Sequence, residues 1–130
     1  ELEALIDRVR ATGLLVEVHE TGSRFTLAQA AQLTVYRIVQ EALTNALKHA
    51  ANPGTVVVSI SYEDPEVHVE VTDDGVPNSV RPAVNGGGHG VAGMAERAAA
   101  FGGSLRAGPR VEGGWRVEAT LRGCKAPVGA

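Results

Sequence analysis

One stretch, from about Leu27 to Ala51, limits what this chain can fold into more than any other. Ala31, Val35, Val39, Ala42, Ala46 and Ala50 recur at helical spacing, and Asn52-Pro53-Gly54 stops the run. A long helix with one apolar stripe must cover that stripe with a second layer. The residues that follow supply such a layer. Thr55 to Tyr62 and Glu66 to Thr72 read as two strands joined by the Glu63-Asp64-Pro65 turn, an antiparallel hairpin.

The rest of the chain extends this plan. Leu2, Leu5, Ile6 and Val9 repeat at helical spacing until Gly13, and Leu14 to His19 alternates as a strand closed by Thr21-Gly22-Ser23. A Gly- and Pro-rich stretch from Gly75 to Gly90 is too long for a simple turn and reads as a functional loop. A second helix is expected from about Val91 to Phe101, stopped by Gly102-Gly103. Two last strands, Ser104 to Ala107 and Trp115 to Arg122, flank a turn containing Gly113-Gly114. The tail from Gly123 is expected to fray. With 130 residues this is one domain. Its class is α+β: a two-layer α/β sandwich with a mixed sheet and helices packed on one face.

Three features could carry chemistry, and each also has a plain structural reading. On the long helix, Arg37, Glu41, Asn45 and His49 are spaced by four, with Lys48 three beyond Asn45, so they share one face. A carboxylate and a carboxamide one turn apart can hold a hard cation, and Lys48 and Arg37 can meet phosphate oxygens. The plain reading is a solvated face with a surface Arg37–Glu41 pair, worth less than about 1 kcal/mol. Thr72-Asp73-Asp74-Gly75 ends a hydrophobic strand and fixes a carboxylate where strand becomes loop. Asp73 can accept a hydrogen bond from the exocyclic amine of adenine, and Gly75 lets the backbone approach a flat ring; a plain Asx turn is the alternative. Finally, Gly86-Gly87-Gly88-His89-Gly90-Val91-Ala92-Gly93 runs directly into a helix, whose N-terminal N–H groups attract phosphates. The segment matches GxGxxG, but a loop rather than a strand precedes it, and no GxxxxGK[ST] occurs, so neither a dinucleotide fingerprint nor a P-loop is present.

Order and spacing say more than the separate features. Tyr36 to Ala50 (YRIVQEALTNALKHA) resembles the N box of sensor histidine kinases, in the subfamily that signals to response regulators with helix-turn-helix output domains. Val71-Thr72-Asp73-Asp74-Gly75 resembles the first glycine box, Gly88 to Arg97 the second, and Gly113-Gly114 falls where a third glycine pair is expected. The resemblance covers residues 1–123. It implies the catalytic ATP-binding domain with the GHKL fold that histidine kinases share with gyrase, Hsp90 and MutL. By it, Asn45 would ligate Mg²⁺, and Glu41 would act as, or position, the general base. Lys48 and His49 would face the phosphates, and Asp73 would bind adenine beside Gly75. Gly88, His89, Gly90, Val91 and Gly93 would form the phosphate end of a lid. Two positions depart from the family pattern: Pro77 replaces a usual glycine, and Trp115 replaces a usual threonine.

The same resemblance implies three parts: residues 1–12 as the end of a connecting helix, 13–123 as the catalytic domain and 124–130 as a flexible tail. The phosphoacceptor histidine is expected on a separate dimerisation domain of the same protein, since none of His19, His49, His68 or His89 sits in a Glu-Leu-His-Asp context. A response regulator is the expected downstream partner of the full-length kinase. Composition bounds the remainder. Twelve Lys plus Arg against fifteen Asp plus Glu, for a net charge of −3 and no basic run, argue against nucleic-acid binding. No apolar run approaches the ~20 residues of a membrane span, so no direct membrane contact by this domain and a cytoplasmic location are expected, with membrane attachment of the parent protein left open. Cys124 is alone, which excludes an intramolecular disulfide and a cysteine-based zinc site. Two other readings fit the same pocket: a serine kinase of the anti-sigma type, and a module that senses ATP without transferring phosphate.

Overall fold

The structure is a computed structural model that describes residues 2–49, 54–74 and 89–126, with side chains at all of these except 48, 49 and 89–92. Its elements run α1 (Leu2–Arg10), β1 (Leu15–Gly22), α2 (Gln29–His49), β2 (Thr55–Glu63), β3 (Glu66–Asp73), α3 (His89–Ala100), β4 (Ser104–Pro109) and β5 (Trp115–Leu121). The five strands form one sheet in the order β1-β2-β3-β5-β4. β1 and β2 are parallel and are joined through α2, the crossover that a parallel pair requires, and every other strand pairing is antiparallel. The result is the mixed, one-sided α+β sandwich that the sequence predicts.

Period-two alternation makes the sheet one-sided. Val56, Val58, Ile60 and Tyr62 of β2, Val67, Val69 and Val71 of β3, and Trp115, Val117, Ala119 and Leu121 of β5 are buried on the inner face. α2 meets that face with Ala31, Val35, Ile38, Val39, Ala42, Leu43 and Ala46. Ile38, Leu43 and Leu121 are among the largest fully buried side chains, each contributing roughly 1.5–3 kcal/mol by removal from water. α1 adds Leu5, Ile6 and Val9 to the same core. Arg10 fastens α1 to β1 by donating from Nη2 to the Val16 carbonyl at 2.7 Å.

Several boundaries differ from the sequence reading. β1 extends beyond His19 to Gly22, because its main chain stays in parallel register with β2 as far as Gly22 opposite Tyr62. Side-chain alternation does not show this, since only Val16 of that strand is buried. The long helix begins at Gln29 rather than Leu27, because Leu27 is engaged in a β-bridge with Lys125. The same bridge pairs the first part of the tail from Gly123 that the sequence reading expects to fray. Ala28 N–H donates to the Cys124 carbonyl and Ala126 N–H to the Thr26 carbonyl, both at 2.8 Å, and Cys124 is fully buried. Lys125 Nζ reaches Asp64 Oδ2 at 2.8 Å and lies 5.3 Å from the centre of the Phe25 ring. Burial pushes the Cys124 thiol above its ordinary pKa.

Leu121→Ala is therefore expected to lower unfolding free energy by about 2–5 kcal/mol. Val111→Ala, at a fully exposed position, should change it by less than about 0.5 kcal/mol. Urea midpoints at constant slope check both.

Candidate nucleotide site

Packing of the buried stripe fixes the rotation of α2, and with it the polar residues beside the stripe. Glu41 and Asn45 are half-buried at its margin, while Arg37 is exposed. Among the described residues, no hydrogen bond or ion pair engages the side chains of Arg37, Glu41 or Asn45, so the surface Arg37–Glu41 pair is not formed. A carboxylate and a carboxamide are thus held one turn apart with their oxygens uncommitted to those residues. Lys48 and His49 form the end of the helix, and their side chains lie outside the described residues.

At the end of β3 the two aspartates have different tasks. Asp73 continues the inward series of Val67, Val69 and Val71 and is only 6% exposed. Asp74 is exposed; its Oδ1 accepts the Thr55 N–H at 2.8 Å, and its own N–H donates to the Thr55 carbonyl at 3.4 Å. The start of β2 and the end of β3 are thereby latched together. Gly54 leaves room for this latch, because a Cβ at that position would push the Asp74 carboxylate aside. Strand alternation could have identified Asp73 as the inward carboxylate. No sequence signal pointed to the latch.

The turn between β4 and β5 abuts the same strand end. Trp115 is the cross-strand partner of Asp73 and is buried on the same face. Gly114 has φ +87°, and a Cβ on it would lie 1.8 Å from the Asp73 carbonyl oxygen. Arg110 Nη1 donates to that oxygen at 3.1 Å. The exposed Glu112 carboxyl is held below the usual range, chiefly by its own backbone amide and then by the Arg110 guanidinium.

The glycine-rich segment is only partly described. α3 begins at His89, not Val91, so His89, Gly90 and Val91 belong to its first turn and Gly93 to the turn after it. The first N–H groups of a helix have no partner within it and carry the positive end of its dipole. Gly75, Pro77 and Gly86 to Gly88 lie outside the described residues. Topology nevertheless orients the helix. α3 ends beside the start of β4, where Ser104 pairs with Thr120, and Thr120 pairs with His68 near the β3 start. Its N-terminus therefore points back toward the sheet end where β3 stops, β2 starts and α2 finishes. By this connectivity Asn45, in the second half of α2, and Asp73, at the end of β3, lie on elements that finish toward that end.

Residues 30–123 match the family described as histidine kinase-, DNA gyrase B-, and HSP90-like ATPase. The chain belongs to this family. Curated relatives include sensor histidine kinase YxjM of Bacillus subtilis (strain 168), 32% identical over 92% of this chain and 31% of its own length. Oxygen sensor histidine kinase NreB of Staphylococcus carnosus (strain TM300) is 34% identical over 78% of this chain and 29% of its own. This ATPase domain thus spans about a third of the length of either relative. Among solved structures, the mycobacterial sensor histidine kinase MprB superposes with a TM-score of 0.66 at 22% identity, covering 96% of this chain and 95% of that one. Full-length ShkA in complex with AMPPNP gives 0.70 at 22% identity, over 98% of this chain and 29% of that one. At that identity the likeness concerns the fold. The family match makes this chain an ATPase domain of that kind, and the relatives make it similar to the corresponding part of sensor histidine kinases. Among the described residues, no helix is long and apolar enough to cross a membrane.

The single tryptophan of the chain stands across from Asp73. Titration with ADP should change its emission and saturate, while the same concentrations of GDP leave it unchanged. Equal responses to the two nucleotides would contradict a base-selective pocket at Asp73.

Proposed function

We propose that this domain binds Mg²⁺–ATP at the open end of the sheet and transfers the γ-phosphoryl group to a histidine on a separate dimerisation domain of the same protein, for relay to a response regulator. One observation carries the reading. An inward carboxylate ends β3 at the sheet end where β2 starts, and α2, which carries a half-buried carboxamide–carboxylate pair, is the helix that leads into β2. Residues 1–12, as the end of a connecting helix, would join this domain to the one bearing the histidine.

The donor set fits the cation. Mg²⁺ takes oxygen ligands, keeps several waters and needs only one or two protein groups beside substrate phosphates. Asn45 would hold it through its carboxamide oxygen. When bound, the ion would supply positive charge to stabilise the phosphate oxygens. Glu41, one turn earlier, accepts a proton from the attacking imidazole or orients that ring. Lys48 and His49 meet phosphate oxygens, and Asp73 accepts the exocyclic N–H of adenine, with Gly75 allowing close approach of the base. Gly88 and the N–H groups of His89, Gly90, Val91 and Gly93 form the phosphate end of the site. Positioning and charge stabilisation are what phosphoryl transfer chiefly asks of a protein.

In the full-length protein, Glu41→Ala should lower histidine phosphorylation by about 10²–10⁴-fold, the usual contribution of a positioned acid or base. Asn45→Ala should remove the Mg²⁺-dependent part of ATP affinity measured by calorimetry. Unchanged phosphotransfer in both variants would overturn the assignment. The 130-residue chain by itself should bind ATP yet acquire no acid-labile phosphate from radiolabelled ATP, and stoichiometric histidine labelling would contradict the separate-acceptor reading.

A further inference from the structure

We propose that Arg110 is a positioning residue for nucleotide binding: through it, the β4–β5 turn clamps the end of β3 and holds Asp73 where a base can reach it. The inference rests on Asp73 being the adenine acceptor. Asp73 is the last residue of its strand, and both of its ladders stop there, opposite Val56 on one side and Trp115 on the other. A strand end frays unless something beyond the ladder ties it, whereas a binding carboxylate must be held to within about 0.5 Å and 10–20°.

The β4–β5 turn supplies that tie. Arg110 Nη1 donates to the Asp73 carbonyl at 3.1 Å, and the backbone of Gly114 packs so closely against the same oxygen that no Cβ fits between them. The turn is itself closed by Arg110 N–H to the Gly114 carbonyl at 3.0 Å and by Gly113 N–H to the Arg110 carbonyl at 3.1 Å. Arg110 is only 20% exposed, and its Nη2 meets Glu112 Oε2 at 3.4 Å. Its Nε is buried without a hydrogen-bond partner among the described residues, a cost that a freely rotating surface arginine would avoid. A guanidinium is suited to this place because its rigid fork engages a carbonyl and a carboxylate at once, which one ammonium does less well. Asp74, latched to Thr55, closes the opposite side of the same strand end. The strand end at Asp73 is thus tied on both sides, by Arg110 at its carbonyl and by Thr55 at the next residue.

The test is a double-mutant cycle on this chain, read by calorimetry with ADP and Mg²⁺. Arg110→Met should weaken ADP binding about five- to fiftyfold, within the coupling range of groups that act through one another. Arg110→Lys should recover part of the loss. Asp73→Asn should weaken binding on its own, and adding Arg110→Met to it should cost less than about twofold more, because the carboxylate being positioned is already gone. A generalised loss of structure would instead multiply the two effects. If circular dichroism shows Arg110→Met to be unfolded, Arg110→Lys carries the cycle, with an expected loss of about threefold that is again absent in the Asp73→Asn background. Normal ADP affinity in the Arg110 variants beside a weakened Asp73→Asn overturns the clamp alone, as do independent, multiplying effects. An Asp73→Asn chain with unaltered ADP affinity overturns the adenine reading and the clamp with it.

Discussion

Apolar contact between α2 and the inner face of the sheet decides where the polar groups of this domain lie. Ile38, Val39, Ala42, Leu43 and Ala46 are buried together, so the helix has one rotational setting about its axis. Turning it by one residue would move about 100° of its surface and bring polar groups against β3 and β5. Glu41 and Asn45 sit at the margin of that stripe, half in and half out of the core. Their reach toward the open end of the sheet is thus set by valines, leucines and alanines rather than by polar bonds of their own.

The outer face of the sheet is built differently. Arg106 pairs with Glu118 at 3.1 Å and Arg116 with Glu70 at 3.5 Å, across adjacent strands. His68 Nε2 lies 3.3 Å from both Glu63 and Glu66, and Arg122 reaches Glu66 at 2.6 Å. Contacts of this kind at a solvent-facing surface are each worth about 1 kcal/mol or less. Their better-supported role is to favour the observed register, since a slip of one residue would bring buried valines to this face.

Much of this architecture was legible because two periodicities coexist in one short chain. The alternation of β2, β3 and β5 and the helical spacing of α2 named the inner face, and Glu41 and Asn45 could be placed on the helix from spacing alone. What stayed hidden depends on the main chain. β1 runs on to Gly22 through a ladder that its side chains do not advertise. Leu27 leaves the helix to pair with Lys125, and α3 takes in His89 and Gly90 although glycine disfavours helix. The latch from Asp74 to Thr55 and the bond from Arg110 to the Asp73 carbonyl join residues far apart in sequence through backbone atoms, which no residue pattern records.

The pairing of residues 124–126 with 26–28 also has a chemical side. It closes over Cys124, whose Sγ lies 3.7 Å from the carbonyls of both Pro65 and Leu121, and keeps the one sulfhydryl of the chain away from solvent. A thiol reagent can react only when this closure opens, and only the small thiolate fraction then present reacts. Labelling of Cys124 is therefore a clock for the opening of the seam between the C-terminal segment and the entrance to α2, at the end of the sheet remote from Asp73.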